Sequence, residues 1–273
     1  MLTYRATLDV STELAHFVAG LLAVERSRRG TRRRTRALSC FRQAVLVLRW
    51  FRDRTDPARL GRDHAVSRAT AYRYIDEAVT VLAGRAPDLG HALDKAAADG
   101  LTHLILDGTV ISADRCTEKT TSKKGNEIDL WYSGKAHQHG GNTQALCAPG
   151  GFPRWVSGVE PGSAHDITAA RHHVLPGACH RGQPLPILAD LGYEGAGHGV
   201  HTPVKNPPGG ELDTDTRTYN QLLRGLRSLG ERGFAVLTGR WRALQRVTAS
   251  PGKIGDIAKA ALVLTHFEHG MIT

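Results

Sequence analysis

Two short apolar runs in the second half of the chain each carry an aspartate. Residues 103–111 read His-Leu-Ile-Leu-Asp-Gly-Thr-Val-Ile and contain Asp107, and residues 186–190 read Pro-Ile-Leu-Ala-Asp and end at Asp190. Short apolar runs of this kind are typical of buried strands. A carboxylate inside a buried strand is costly unless it is paired or bound to a metal. At the edges of two such strands, the two aspartates can converge on one metal ion.

The rest of the second half alternates between strand and helix patterns. We predict three further strands and three helices, which lie in turn at residues 131–148, 153–159 and 200–205, and at 166–174, 216–247 and 255–266. This order predicts an α/β fold with a mixed five-stranded sheet flanked by helices, in a domain that covers residues 100–273.

The N-terminal region, residues 1–99, is predicted to be entirely helical. Apolar residues at helical spacing predict helices at 12–24 and 37–51. Residues 56–83 have the layout of a helix-turn-helix, in which the Ser67 hydroxyl caps the second helix. That helix presents Arg68, Thr70, Ala71 and Arg73, with Tyr72 beside them. A plain helical hairpin is the alternative. In a DNA-binding unit, the residues that contact DNA here would be Arg62, Ser67, Arg68, Thr70, Tyr72 and Arg73.

The charge of the chain is concentrated in this helical region. The formal net charge is +10, and residues 1–80 hold sixteen Arg, no Lys and eight acidic residues. A basic concentration favours a polyanion as partner, although a solvated surface in an arginine-rich proteome explains it equally well. The four cysteines are far apart and form no zinc or disulfide pattern. No apolar stretch is long enough for a membrane span, so we expect no membrane partner and a cytoplasmic protein.

Glu231 lies on the long predicted helix and is the candidate third acid. Arg224 and Arg227 precede it by seven and four residues, on roughly the same face, so a simple surface ion pair is the alternative for Glu231 alone. Together with Asp107 and Asp190 it suggests a two-metal phosphodiester site, because Mg²⁺ and Mn²⁺ prefer oxygen ligands. Two such ions about 4 Å apart stabilise the attacking and the leaving oxygen of a displacement.

Four motifs in order extend this hypothesis. Asp107-Gly-Thr after a strand is followed by Pro-Gly-Ser-Ala-His-Asp at 161–166, by Ala-Asp-Leu-Gly-Tyr at 189–193, and by Glu231 with Gly-Phe and Arg-Trp behind it. This series, over about residues 101–267, resembles the DDE transposases of bacterial insertion sequences. The group it most resembles is the insertion sequence five family, which shares its endonuclease domain type with Harbinger elements.

The resemblance implies an RNase H-like fold and three metal-binding, catalytic carboxylates, Asp107, Asp190 and Glu231, with two Mg²⁺ ions for which Mn²⁺ can substitute. It implies two steps: cleavage at the transposon end by a metal-bound water, then attack of the freed 3′-hydroxyl on target DNA. The partners implied are the terminal inverted repeats, the target DNA and further copies of the chain assembled on DNA, in association with a bacterial nucleoid.

Several other residues are candidates for supporting roles. Related enzymes often have a Lys seven residues after the Glu, where this chain has Thr238; Arg240, Arg242 or Arg246 could supply that charge. We include Arg227 and Arg240 among the DNA contacts, and Lys135 and His137 as phosphate contacts, with plain solvent exposure as the alternative. Asp166 is expected to cap a helix and, with His165, to support the acidic site rather than to ligate metal directly.

Two other functions stay open on the sequence. One is a DNA-binding regulator that has kept the helix-turn-helix and lost catalysis, as a domesticated or decayed transposase would. The other is a metal-dependent phosphohydrolase or nuclease of a different kind. The basic helical region argues against a small-molecule substrate.

Overall fold

The computed structural model describes residues 7–32, 34–122, 124–179, 185–197 and 199–272, without the side chain of Cys179. The contacts divide the chain into two compact units. The helical unit comprises the described residues up to Ala86, Thr238–Gln245 and 256–272. The sheet unit comprises Pro87–Leu237 and Arg246–Gly255. The functional division at residues 99 and 100 stays a prediction.

The helical unit begins with four helices: α1 (Thr12–Arg28), α2 (Cys40–Asp53), α3 (Pro57–Asp63) and α4 (Arg68–Ala83). Ser11, Ser39, Asp56 and Ser67 occupy the four N-cap positions, and each side chain accepts a hydrogen bond from a backbone N–H of the first turn. Such caps satisfy donors that a helix start otherwise leaves unpaired. The predicted Ser67 cap is confirmed.

The helical unit also receives most of the last helix, α10 (Ile254–Glu268). Its core is aromatic and aliphatic: the ring of Phe51 lies edge-on to that of Trp241, 6.2 Å between centroids, and both side chains are fully buried. The Trp241 indole N–H donates to Thr265 Oγ1 at 2.9 Å. A buried indole N–H needs such a partner, so the tryptophan is a core residue of this unit.

The sheet unit contains α5 (Leu89–Ala98), β1 (Leu104–Ser112), β2 (Lys119–Thr121), β3 (Glu127–Asp129), β4 (Tyr132–Ser133), β5 (Gln138–Cys147), β6 (Pro153–Pro161), α6 (Asp166–His173), α7 (Leu175–Cys179), β7 (Ile187–Leu188) and β8 (Val200–His201). The main sheet has the order β4-β5-β1-β7-β8, with β6 also paired to β5. β1 is antiparallel to β5 and parallel to β7, so the predicted mixed sheet is confirmed.

The strand count of five is wrong, because the described residues form six strands in this sheet. The segment predicted as one strand at 131–148 is two strands, β4 and β5, and the chain turns between them, where His137 adopts a left-handed φ of 52°. The predicted turn at 149–151 is confirmed: Gly151 has a φ of 81°, and its N–H donates to the carbonyl of Ala148.

The long predicted helix at 216–247 is also wrong in its continuity. The structure has α8 (Thr214–Arg227) and α9 (Glu231–Arg240), separated by three residues. Gly230 lies in this break, and a side chain there would put its Cβ 2.5 Å from Cγ2 of Ile105. Since no real Cβ tolerates that distance, the glycine lets the chain approach the sheet closely just before α9 begins.

The two faces of the sheet are covered differently. One face buries Leu104, Leu106 and Leu146 in a core shared with residues of α5, α6 and α7. The opposite face carries Ile105 and its partner Cys147, against which Gly230 and Gly233 pack. Cys40, Cys116 and Cys147 are free thiols. Within the described residues, no helix is long and apolar enough to cross a membrane.

Candidate active site

Asp107 and Asp190 follow matched positions of two neighbouring parallel strands. β1 pairs with β7 in a register that sets Ile105 opposite Leu188, and each aspartate lies two residues further along. The backbone at Asp190 is still extended, with a φ of −83° and a ψ of 180°. Because side chains alternate along an extended chain, residues two apart share a face. The strand register therefore places the two aspartates on the same face.

The carboxyl group of Asp107 has a perturbed pKa. This pKa is raised from 3.8 to about 6, chiefly by burial and also by the negative charges of Asp190 and Asp166, which together outweigh the lowering by Arg227 and by the backbone N–H of Gly108. The interaction of charges falls with their separation, so Asp107 has two acids and one arginine near it. Its ionised form is destabilised here, and a cation beside it would offset that destabilisation.

Asp190 is held by the turn that follows it. Its Oδ1 accepts a hydrogen bond from the backbone N–H of Gly192 at 2.8 Å, in a short 3₁₀ turn over Leu191–Tyr193. A Cβ at position 192 would lie 2.8 Å from that same Oδ1 and 3.5 Å from Oδ2 of Asp166. A side chain at this glycine of the Asp-Leu-Gly-Tyr motif would crowd the Asp190 carboxylate in its present position.

Asp166 has two hydrogen-bond donors, and neither belongs to its helix. Lys135 Nζ donates to Oδ2 at 2.9 Å, and Asn142 Nδ2 donates to Oδ1 at 2.8 Å. The predicted capping role is wrong: α6 begins at Asp166 itself, the N-cap residue is His165, and no side chain caps the helix. The carboxylate is instead directed at the lysine and at the buried amide.

A buried polar chain extends from Asp166 beneath the acidic residues. Gln144 Nε2 donates to Asn142 Oδ1 at 2.8 Å, and the Tyr193 hydroxyl donates to Gln144 Oε1 at 2.5 Å. A Cβ at Gly108 would lie 2.5 Å from the Gln144 amide nitrogen, which explains the glycine after Asp107. Sequence reasoning missed the three polar residues as functional ones. The available signal was two amides two residues apart within an otherwise buried strand.

Glu231 is not brought together with the two aspartates in the way the prediction required. It is the first residue of α9 and is exposed. Its neighbour Gly230 packs against Ile105, two residues before Asp107. The helix therefore begins beside the face of the sheet that carries the two aspartates. In the described part of the chain, however, no three His, Cys, Asp or Glu side chains are grouped closely enough to hold a metal ion.

The residues present fit a divalent cation with few protein ligands. Asp107 and Asp190 offer hard oxygen donors, and Mg²⁺ commonly takes one or two carboxylates and completes its shell with water and substrate phosphates. The second reason for this fit is that a bound cation would offset the destabilised negative charge of Asp107. Lys135 is the neighbouring ammonium: its pKa is raised chiefly by the hydrogen bond to Asp166, and also by the charges of Asp190 and Asp107.

A cavity of about 380 Å³ lies beside Asp166. Lys135, His165 and Asp166 are among its lining residues, and His165 lies there as the N-cap residue of α6. The Lys135 side chain is 77% exposed although it is paired with Asp166. His137 lies in the exposed turn after it. Both predicted phosphate contacts are thus accessible, and that of Lys135 lies beside the acids.

The residues predicted to contact DNA from the helical unit lie around α3 and α4. Arg62, Arg68, Tyr72 and Arg73 are exposed, and the Arg68 guanidinium lies 5.5 Å from the centre of the Tyr72 ring. Thr70 is half-buried; its backbone N–H donates to Ser67 Oγ at 3.1 Å. Ala71 was expected on the exposed side but is fully buried, since it lies on the side of α4 that packs in the core.

The other two predicted DNA contacts differ in their surroundings. Arg227 is half-buried at the end of α8 and acts on the Asp107 carboxyl. Arg240 belongs to the helical unit and forms ion pairs with Glu268 at 2.5 Å and with Asp9 at 2.8 Å. Its guanidinium is therefore already occupied, whereas Arg227 lies next to the acids.

Comparison with known protein families identifies the family of this chain. A family model described as DDE superfamily endonuclease matches residues 106–266. This range begins at the strand of Asp107 and includes Asp190 and Glu231. Neither a curated protein nor a solved structure is similar enough to the chain to count as a match.

Proposed function

Because the chain belongs to the DDE superfamily of endonucleases, we propose that it is a DNA transposase of a bacterial insertion sequence that cleaves and rejoins phosphodiester bonds. Its family implies DNA as the substrate, and nucleases of this superfamily generally use divalent metals. The insertion sequence five family remains our specific assignment within it.

The observation that carries this proposal is the pair formed by Asp107 and Asp190. The parallel register of β1 and β7 puts the two acids on one face, and the pKa of Asp107 is raised to about 6 by burial and then by its acidic neighbours. A perturbed carboxyl beside a second carboxyl is typical of functional sites. The strand order, with β1 central and antiparallel to β5 but parallel to β7, supports the RNase H-like assignment.

The protein's own residues divide the work as follows. Asp107 and Asp190 would hold two ions of Mg²⁺, or Mn²⁺ in its place. Bound there, the ions would stabilise negative charge on the attacking and the leaving oxygens. Lys135 would contact a phosphate of the DNA, and Asp166 would orient its ammonium through the 2.9 Å hydrogen bond. Arg227 would add a second cationic contact next to Asp107.

The third acid is either Glu231 or Asp166. Motif order favours Glu231, whereas the electrostatic influence of Asp166 on the Asp107 carboxyl favours Asp166. Glu231→Gln and Asp166→Asn separate the two. If Glu231 is the ligand, Glu231→Gln abolishes cleavage. Asp166→Asn would then only weaken it, because an amide still bonds Lys135 through its oxygen.

Recognition of DNA ends is assigned to the helical unit. A short turn joins α3 to α4, and Ser67 caps the start of α4. The exposed arginines near the start of α4 suit base edges and phosphates in a major groove. We assign the terminal inverted repeats to this element. Target DNA and assembly of several copies on paired ends complete the proposal, in a cytoplasmic, nucleoid-associated protein.

The direct test uses purified protein, Mg²⁺ or Mn²⁺, and duplex DNA with the inverted repeats that flank the gene. We expect 3′-end nicking followed by strand joining. Nicking that persists at the wild-type rate in Asp107→Asn or Asp190→Asn would refute the acidic site.

The alternative function is a transposase that has lost catalysis and acts as a helix-turn-helix DNA-binding protein. Two observations favour it: Thr238 stands where related enzymes have Lys, and no described group of three potential ligands can hold a metal. Wild-type protein that binds the inverted repeats and never cleaves them, with either metal, would establish this alternative.

A further inference from the structure

Between α1 and α2 lies a cleft of about 720 Å³ with an unusual lining. Its charged lining residues are Arg26, Arg32, Arg34 and Arg36, and no acidic residue belongs to the lining that the structure describes. Thr31 and Ser39 supply hydroxyls. We call this surface the arginine cleft.

Three of the four arginines have no carboxylate partner among the residues that the structure describes. Arg36 is paired with Glu77 at 2.5 Å. Arg26 donates to two neutral acceptors, the carbonyl of Leu38 at 3.1 Å and the amide oxygen of Gln43 at 2.6 Å. Arg32 and Arg34 are exposed and form no ion pair with any described residue. The cleft therefore carries positive charge that the protein itself does not neutralise.

Arg26 adds a fixed positive charge at the cleft. Two neutral acceptors hold its guanidinium, and no carboxylate among the described residues neutralises it. A guanidinium forms strong hydrogen bonds with phosphate oxygens. The start of α2 also lies at the cleft, with Ser39 and Cys40 in the lining. The N-terminus of a helix adds positive potential.

From this arrangement we propose that the arginine cleft binds backbone phosphates of duplex DNA, as a contact separate from the major-groove helix α4. The proposal rests on the proposed function only in taking DNA as the polyanion. A phosphate contact of this kind positions the protein and does not read the sequence of the bases. It contributes equally to binding at the element's ends and at unrelated DNA.

The salt dependence of DNA binding tests the cleft. Each phosphate contact contributes about 0.9 to the slope of log binding constant against log salt, which is about eightfold in affinity at 0.1 M salt. We expect the slope to fall by about 0.9 in Arg32→Gln, by about 0.9 in Arg34→Gln, and by about twice that in the double variant. The losses should be the same for an inverted-repeat duplex and a scrambled one.

Two control variants make the measurement specific. Arg28→Gln removes a nearby arginine that is 70% exposed and paired with Glu25 outside the cleft, and it should leave the slope unchanged. Arg32→Lys combined with Arg34→Lys retains both charges and should retain the slope. A double Gln variant whose slope equals that of Arg28→Gln overturns the proposal, as does a loss seen with duplex RNA and not with duplex DNA.

The outcome is independent of catalysis. Wild-type protein that nicks DNA while the Gln variants bind with an unchanged slope would refute the cleft and leave the proposed function intact. Wild-type protein that fails to nick while the slopes fall as expected would refute the proposed cleavage function and support the arginine cleft.

Discussion

The acidic end of the sheet and the arginine-rich helices differ in how far their charged groups are buried. Asp107 is fixed on a strand, and burial raises its pKa to about 6. In the helical unit, most arginines are exposed. Arg28 and Arg29, for example, both form ion pairs with Glu25, which precedes them by three and four residues. One region places negative charge where water is scarce, and the other spreads positive charge over the surface.

This difference indicates two kinds of contribution. A rigid, desolvated group acts strongly on charge that develops next to it, because the effective dielectric constant is low. Exposed cations on long side chains are screened, so each contributes little and many are needed. Substitutions among the acids should therefore abolish activity, whereas substitutions among the arginines should produce graded losses of binding.

The largest expected effect is the loss of cleavage in Asp107→Asn and Asp190→Asn. Even residues that merely support a metal ligand cost about 10–100-fold when they are changed, so we expect each substitution to reduce nicking by at least about a hundredfold. DNA affinity without metal should change little. Asp114→Asn is the control, because that carboxylate is 51% exposed and paired with Arg246. A similar loss in Asp114→Asn would contradict the distinction between the regions.

The second effect concerns the stability of the protein without metal. The folded pKa of Asp107, about 6, is above its ordinary 3.8, so the folded state holds the proton more tightly than the unfolded state. The free energy of unfolding thus falls as pH rises from about 4 to 6, and then stays low. Asp107→Asn cannot ionise and should be more stable than wild type at pH 8, by on the order of 3 kcal/mol.

Urea unfolding at two pH values checks this. At pH 4 the two proteins should differ little, because the folded wild type is then protonated at Asp107. The difference should open between pH 4 and 6. A wild-type protein that is the more stable one at pH 8 would mean that the pKa of Asp107 is lowered, and that the acidic end of the sheet is not strained by its charge.

A smaller effect is expected for Lys135→Met. A hydrogen bond to a charged group contributes about 1.5–3 kcal/mol, so loss of the proposed phosphate contact should raise KM by about tenfold with a smaller change in kcat. Lys95→Met is the matched control, since Lys95 is also paired with an aspartate, Asp99 at 3.1 Å. If kcat falls and KM does not change, Lys135 acts on the reacting atoms rather than on binding.

The acidic site shows which parts of such a protein a sequence can predict. The apolar runs around Asp107 and Asp190 define two buried strands locally, and both strands are present. The position of Glu231 depends on where α8 ends, and that follows from the fit of Gly230 against Ile105, a contact across 125 residues that no local pattern records.

The polar chain beneath the acids was missed for a related reason. Asn142 and Gln144 lie in β5, where a polar segment would ordinarily be expected to face solvent. Their role emerges only when α6 brings Asp166 to Asn142 and the turn after β7 brings Tyr193 to Gln144. Each of these hydrogen bonds joins different elements, so propensity and spacing within one element could not predict it.

The smallest expected effect distinguishes the two regions without a mutation. Cys147 lies on the same face of the sheet as Asp107, where burial raises its thiol pKa to about 12, whereas Cys40 at the start of α2 is half-exposed. Alkylation requires the thiolate. At pH 8, iodoacetamide should therefore modify Cys40 in the native protein and leave Cys147 unmodified, as mass spectrometry of the peptides would show. In denaturant both should react. Native labelling of Cys147 as fast as that of Cys40 would mean that the sheet beneath Asp107 opens readily, and the contrast between a closed acidic region and an open basic one would then fail.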